Sequence, residues 1–292
     1  MRIETIELSQ RVAGSSATLT AYLLDDLAKC EVTPRPAVIV CPGGSYTHLA
    51  DREGEPVALA FAAEGCQAFV LRYTLGDPEG GNPAYPACFD ELSQSVALLR
   101  ERADEWEIDP NRVFVCGFSA GGHLVLMQGT AWRRQAERLG LEPELLRPSG
   151  VIAGYPLADV RGFGEFLAQM SGLYPDHPAV KMGTECANAV FGRADPSADE
   201  MDALTPVTLA DAESAPTFIW ATAEDKLVDP MNALKMASAL SAVHVPVELH
   251  LFERGPHGMS LASPVTAGPD GTRVDDDAAQ WLDLAVRWMR RR

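Results

Sequence analysis

Short unbroken apolar runs recur along this chain, separated by stretches whose apolar residues fall at helical spacing. Ala37-Val38-Ile39-Val40-Cys41, Ala68-Phe69-Val70-Leu71, Val113-Phe114-Val115-Cys116, Val151-Ile152-Ala153-Gly154 and Thr217-Phe218-Ile219-Trp220-Ala221 read as strands covered on both faces. Val247-Glu248-Leu249-His250-Leu251-Phe252 adds another, and residues 18–24 with 3–8 suggest an antiparallel start to the sheet. Residues 55–64, 230–243 and 276–289 read as helices. Over residues 88–106, Phe89, Leu92, Val96, Leu99, Ala103 and Trp106 mark one apolar helix face that belongs to the core. The glycine- and proline-rich residues 74–86 are loop, and Asp109-Pro110-Asn111 reads as a turn into the next strand. Strands alternating with helices predict an α/β fold, a mostly parallel, doubly wound sheet with helices on both faces.

Residues 155–216 break this rhythm. They hold Phe163, Phe166, Leu167, Met170 and Leu173, then Tyr174-Pro175-Asp176-His177-Pro178. A segment this long without core strands is usually functional. The expectation is a cap or lid inserted within a single domain spanning residues 1–292; a structural insertion distant from the site is the alternative.

Candidate chemistry begins where the strand ending at Cys116 meets Gly117-Phe118-Ser119-Ala120-Gly121-Gly122 and the helical His123-Leu124-Val125-Leu126-Met127. Strand, G-x-S-x-G, helix is the pattern of a nucleophile elbow, which exposes a serine hydroxyl above a sheet. A serine hydroxyl needs a base, itself oriented by an acid, and in folds with this elbow the chain order is serine, acid, histidine. Of the six histidines, His48 and His123 precede any downstream acid, and His123 suits packing. His177 lies in the irregular insertion, His244 ends a helix and His250 sits within a strand. His257, in Gly255-Pro256-His257-Gly258 just after a strand, is the candidate base, since a doubly wound sheet presents ligands at the carboxyl ends of its strands. The loop after the preceding strand offers Glu224, Asp225 and Asp229. Asp229 precedes Pro230 and suits a helix cap, Glu224 suits solvent, and Asp225 is the candidate acid. Donors for a developing oxyanion are expected from the Ala120 amide and from Gly44 and Ser45 in Pro42-Gly43-Gly44-Ser45-Tyr46.

Bulk properties narrow the partners. The chain has 292 residues, 47% hydrophobic, enough for one sizeable core. With 24 basic and 41 acidic residues its formal net charge is −17, which disfavours nucleic acid and anionic membrane. Met1-Arg2-Ile3-Glu4 opens without an apolar signal core. Six cysteines, at 30, 41, 66, 88, 116 and 186, form no C-x-x-C pair, and several fall in apolar runs. They read as free thiols of a cytoplasmic protein. No H-E-x-x-H, paired cysteine ligands or phosphate loop is present, so neither metal nor organic cofactor is expected.

Together these segments resemble the α/β-hydrolase superfamily, in particular its small bacterial acetyl xylan esterase-like carbohydrate acetyl esterases. The resemblance rests on Cys41-Pro42-Gly43-Gly44-Ser45-Tyr46 with Glu53-Gly54-Glu55-Pro56-Val57-Ala58, on Phe69-Val70-Leu71-Arg72-Tyr73, on the elbow through His123-Leu124, on Thr222-Ala223-Glu224-Asp225 and on Gly255-Pro256-His257-Gly258-Met259-Ser260-Leu261. It implies an α/β-hydrolase fold, a Ser119–Asp225–His257 triad, and hydrolysis of small-acyl esters, acetylated sugars above all. Pro42 stands where many relatives have histidine, removing a loop-bracing side chain; Ser45 stands where many have a third glycine. The expected partner is a small ester, with homo-oligomer formation open. The alternatives are a broad carboxylesterase, a peptidase or acyltransferase on the same scaffold, and a non-catalytic carbohydrate-binding protein.

Overall fold

The computed structural model of the chain describes residues 1–25, 34–173 and 178–292, leaving out the side chains at 166–168, 170–171, 173 and 178–179. Cys30, the residues 174–177 that include His177, and the side chains of Phe166, Leu167, Met170 and Leu173 therefore lie outside the described residues. The described residues form one sheet of β1 (Arg2–Glu7), β2 (Thr18–Leu23), β3 (Arg35–Cys41), β4 (Gln67–Arg72), β5 (Ile108–Phe118), β6 (Gly150–Gly154), β7 (Thr217–Thr222) and β8 (Val247–Phe252). Their order is β1-β2-β4-β3-β5-β6-β7-β8. β1 pairs antiparallel with β2 and β2 with β4; every later pairing is parallel. This is the α/β-hydrolase fold, and its antiparallel start is where residues 3–8 and 18–24 suggested it.

The helices are α1 (Glu55–Ala63), α2 (Ala87–Glu101), α3 (Ala120–Leu139), the single turn α4 (Pro143–Leu146), α5 (Val160–Leu173), α6 (Pro178–Phe191), α7 (Ala198–Ala203), α8 (Pro206–Leu209), α9 (Met231–Ala242) and α10 (Trp281–Met289). α1 and α10 share one face of the sheet: Phe61 meets Trp281 edge-on at 6.2 Å, and Trp281 stacks on Trp220 of β7 at 5.2 Å. α2 packs on α3, where the Ser93 hydroxyl donates to Gln128 Oε1 at 2.7 Å. Burial explains the unbroken apolar runs. Residues 37–41 of β3 and 113–116 of β5 are wholly inaccessible, because helices cover both faces of the central strands.

Three local expectations need correction. Asp109-Pro110-Asn111 lies inside β5, where the register against β3 shifts between Arg35 and Ala37. Asp109 Oδ1 accepts from the Asn111 amide at 3.0 Å, so its turn-forming chemistry produces a bulge within the strand. α2 stops at Glu101, and the continuation to Trp106 is a separate turn. Trp106 is still core, with its ring 5.3 Å from Phe69 and its Nε1 donating to Glu4 at 2.7 Å, so an apolar residue at helical spacing need not be helical. The closing helix begins at Trp281, after a 3₁₀ turn at Ala278–Gln280. Cys41, Cys66, Cys88, Cys116 and Cys186 are free. Among the described residues, no helix is long and apolar enough to cross a membrane.

Candidate active site

The turn between β5 and α3 is shaped by backbone crowding. Ser119 has φ 51° and ψ −115°, a conformation that a non-glycine residue holds only when its surroundings enforce it. A side chain at Gly117 would put its Cβ 2.2 Å from the Gly121 carbonyl oxygen, and one at Gly121 would lie 2.1 Å from that of Cys41. The two glycines thus let helix and strands approach until Ser119 has no other conformation to take. The Ser119 amide donates to the Gly154 oxygen of β6 at 3.0 Å. Ala120 opens a 20-residue helix, so its amide has no intrahelical acceptor.

Ser119, Asp225 and His257 come together. His257 Nε2 lies 2.9 Å from Ser119 Oγ, and His257 Nδ1 lies 2.6 Å from Asp225 Oδ2. The other carboxylate oxygen of Asp225 accepts from the Leu227 and Val228 amides at 2.9 and 3.0 Å. An acceptor-only group at Nδ1 puts a proton there and leaves Nε2 free to accept from the serine. The carboxylate is almost wholly buried and the imidazole nearly so, which strengthens the contact electrostatically. The Asp225 and His257 loops are also laced to each other. Thr222 donates to the Gly255 oxygen at 2.7 Å, and the Gly255 amide donates to Glu224 at 3.1 Å. Glu224 is therefore exposed yet structural, where the sequence suggested a merely solvated residue. Asp229 stands one residue before the position expected of a cap, which Pro230 takes, and its Oδ1 accepts from the Met231 amide at 2.9 Å.

The loop after β3 places Gly44, Ser45 and Tyr46 in succession at positive φ, 126°, 54° and 61°. Only glycine fits at position 44, where a Cβ would lie 2.1 Å from the His48 oxygen. Among the described residues the Gly44 and Ser45 amides have no protein acceptor. Pro42 does not leave the loop unbraced. The Tyr73 hydroxyl donates to the Pro42 oxygen at 2.6 Å, and the Gly43 amide donates to Glu53 Oε2 at 2.8 Å. Tyr46 donates to His123 Nδ1 at 2.6 Å, while His123 Nε2 donates to the Leu204 oxygen at 2.7 Å. Burial pushes the His123 imidazole down to about 4, so it is neutral, with the packing role its position in the chain suggested.

Sequence reasoning missed Glu53 and Tyr155. Glu53 is 2% exposed, and its Oε1 accepts from the Tyr155 hydroxyl at 2.8 Å. The Tyr155 ring lies edge-on to His257, centroids 5.0 Å apart. Glu53 sits inside a segment that carried the family resemblance, but nothing in the local pattern marks it as buried.

A cavity of about 630 Å³ adjoins this site. Tyr46, His123 and Leu157 wall one side, and Val160, Phe163, Val190, Phe191 and Met201 of the stretch between β6 and β7 wall much of the rest. Neither Ser119 nor His257 lines it, although the Leu157 amide approaches the Ser119 carbonyl oxygen to 3.5 Å.

The chain is similar to known proteins in both sequence and fold. Endo-1,4-beta-xylanase B of Butyrivibrio fibrisolvens is 30% identical over 254 residues, 86% of this chain and 36% of that protein. The chain spans between 22% and 58% of the length of the four curated relatives it matches. The carboxylesterase Cest-2923 of Lactobacillus plantarum superposes with a TM-score of 0.80 at 29% identity, covering 100% of this chain and 98% of that one. An acetyl ester-xyloside bifunctional hydrolase from Caldicellulosiruptor lactoaceticus does so with a TM-score of 0.76 at 28% identity, covering 99% and 96%. The BD-FAE family profile matches residues 26–240, from before β3 to within α9 and so including the elbow, the candidate oxyanion loop and Asp225; the chain belongs to the BD-FAE family.

Proposed function

We propose that the protein is a serine esterase that hydrolyses small-acyl esters, acetylated sugars or oligosaccharides in particular, through an acyl-serine. The observation that carries this reading is the unbroken contact from Asp225 through His257 to the Ser119 hydroxyl, at 2.6 and 2.9 Å. His257 Nε2 takes the hydroxyl proton as Ser119 Oγ attacks the ester carbonyl carbon. Negative charge gathers on the carbonyl oxygen, facing the amides of Ala120, Gly44 and Ser45. The tetrahedral intermediate collapses, the carbon–oxygen bond to the alcohol breaks, and His257 gives its proton to the leaving alcohol. Water then repeats the sequence on the acyl-serine and frees the acid. Asp225 holds the imidazole in the productive tautomer and offsets its charge while it is protonated. The sugar-ester preference draws on relatives named for xylan and acetyl ester chemistry.

In this reading residues 155–216 form a cap, supported by the way their helices wall the cavity beside Tyr46 and His123. A second reading, a broad carboxylesterase, is favoured by the cavity itself, whose volume and apolar lining suit a longer acyl chain. One experiment separates them: turnover of p-nitrophenyl acetate and octanoate by the wild type and by Ser119→Ala. The expected outcome is faster acetate turnover and a loss on the order of a millionfold in kcat on removing the hydroxyl. Equal rates for the two proteins overturn the esterase reading, and faster octanoate turnover moves it to the broad one.

A further inference from the structure

We infer that Glu53 is a positioning residue, whose buried carboxylate clamps the loop bearing Gly44 and Ser45 to the loop bearing His257. The inference rests on the esterase reading and names a residue that this reading does not use.

Glu53 is an acidic side chain at 2% exposure whose hydrogen-bond partners are neutral. Among the described residues no cation lies within ion-pair distance of it. A carboxylate buried without a counter-ion is held by its hydrogen bonds alone, so the groups donating to it are fixed in turn. Here the donors belong to two different loops. Oε2 takes the Gly43 amide at 2.8 Å, which removes that amide from the reacting centre and fixes the peptide next to Gly44. Gly43 has no room to drift: a Cβ there would lie 2.7 Å from Glu53 Oε2, 2.7 Å from the Phe118 oxygen and 3.0 Å from Ser119 Cβ.

Oε1 takes the Tyr155 hydroxyl at 2.8 Å, and that hydroxyl oxygen accepts from the Ser260 amide at 2.9 Å. Ser260 is three residues beyond His257, whose ring lies against the Tyr155 ring. The neighbouring Arg52 adds two ties to the same loop. Its Nε donates to the Gly258 oxygen at 3.0 Å, and its carbonyl oxygen accepts from the Ser260 hydroxyl at 2.6 Å. Trp281 Nε1 donates to the Ser260 oxygen at 2.9 Å and anchors the assembly to α10. The short 3₁₀ turn Asp51–Glu53 therefore sets the distance between the base and the candidate oxyanion donors. A displacement of about 1 Å between such groups can cost on the order of 100-fold in rate.

The test compares Glu53→Ala, Glu53→Gln and Tyr155→Phe with the wild type. Three quantities are read: kcat and KM for p-nitrophenyl acetate, the rate of fluorophosphonate labelling of Ser119, and thermal melting with near-ultraviolet circular dichroism. Glu53→Ala is expected to lower kcat and the labelling rate by roughly 10- to 100-fold, with KM within about threefold. Glu53→Gln, which retains an oxygen to accept from Gly43, recovers most of the loss. Should Glu53→Ala not fold, the other two variants carry the comparison, with Tyr155→Phe expected to fall in the same direction.

Folded variants that keep wild-type kcat and labelling overturn the proposal. So does a loss that merely tracks the fraction of folded protein. A wild type that is labelled but does not turn over the ester overturns the esterase reading alone, and the labelling rates then decide for or against Glu53. A wild type that does neither overturns both.

Discussion

Two turns flank the space around Ser119, and they are built by opposite means. The elbow of residues 117–122 is held by steric exclusion between backbones, with carbonyl oxygens standing where the Cβ atoms of Gly117 and Gly121 would be. The loop of residues 42–46 is held by polar side chains reaching in from elsewhere: Tyr73 on Pro42, Glu53 on Gly43 and His123 on Tyr46. The first turn carries its constraint in its own residues. The second borrows its constraint from positions later in the chain. A turn of the first kind should fail all at once, and one of the second kind in separable steps.

The largest effect is therefore expected at the elbow. In Gly121→Ala the new Cβ lies 2.1 Å from the Cys41 oxygen and 2.5 Å from that of Pro42, both main-chain atoms of the sheet or its loop. Nothing flexible can yield, so α3 must move off the strands. The expected loss of stability is about 4 kcal/mol or more in urea unfolding, with esterase activity lost alongside it. A variant that folds with wild-type stability and activity would mean the approach of α3 to β3 is looser than these distances say.

The same contrast explains which parts of the molecule were legible in the sequence. Sterically enforced features leave a local mark, and the marks were readable. The glycines around Ser119 announced the turn, and the unbroken apolar runs of β3 and β5 announced strands covered on both faces. The order of serine, aspartate and histidine located Asp225 and His257, because strand-end loops of a parallel sheet meet along one rim. The polar braces left no comparable mark. Glu53 and Tyr155 are 102 residues apart, and whether either is buried depends on packing that no window of neighbouring residues contains. Pro42 suggested a loop lacking a brace, because the replacement brace comes from Tyr73 and Glu53 outside the loop itself. Trp106 shows the converse limit. Its spacing reported correctly that it is core but wrongly that it is helical, since apolar spacing records burial more directly than backbone conformation.

A smaller, separable effect is expected at the outer end of the polar-braced loop. Tyr46→Phe removes the hydroxyl that donates to His123 Nδ1 and leaves a buried acceptor unpaired, at a cost of about 2 kcal/mol. The ring keeps its place beside Tyr73, with centroids 5.8 Å apart in the parent protein. The Gly43 tie to Glu53 is untouched, so kcat should fall by less than about tenfold while urea unfolding registers the loss. Equal falls in kcat for Tyr46→Phe and Glu53→Ala would sharpen the comparison in the other direction, making the two braces one cooperative unit.

The smallest effect is one of pH, and its sign follows from His123. Its folded value lies at about 4, below the usual histidine value of 6.5, because burial disfavours the charged ring. Between those values the unfolded chain binds a proton that the folded protein excludes. Stability from this residue is thus fully present above pH 6.5 and is lost as pH falls from there towards 4. Going from about pH 7.5 to about pH 5.5, the linkage amounts to about 1 kcal/mol. Other groups titrate over the same interval in a chain of net charge −17, so the measurement is a difference. The pH-induced loss in urea unfolding is compared between the wild type and His123→Gln, which cannot take up the proton. The wild type should lose about 1 kcal/mol more. Identical losses would mean that the ring is free to protonate in the folded protein, and that the brace linking Tyr46 to Leu204 opens without cost.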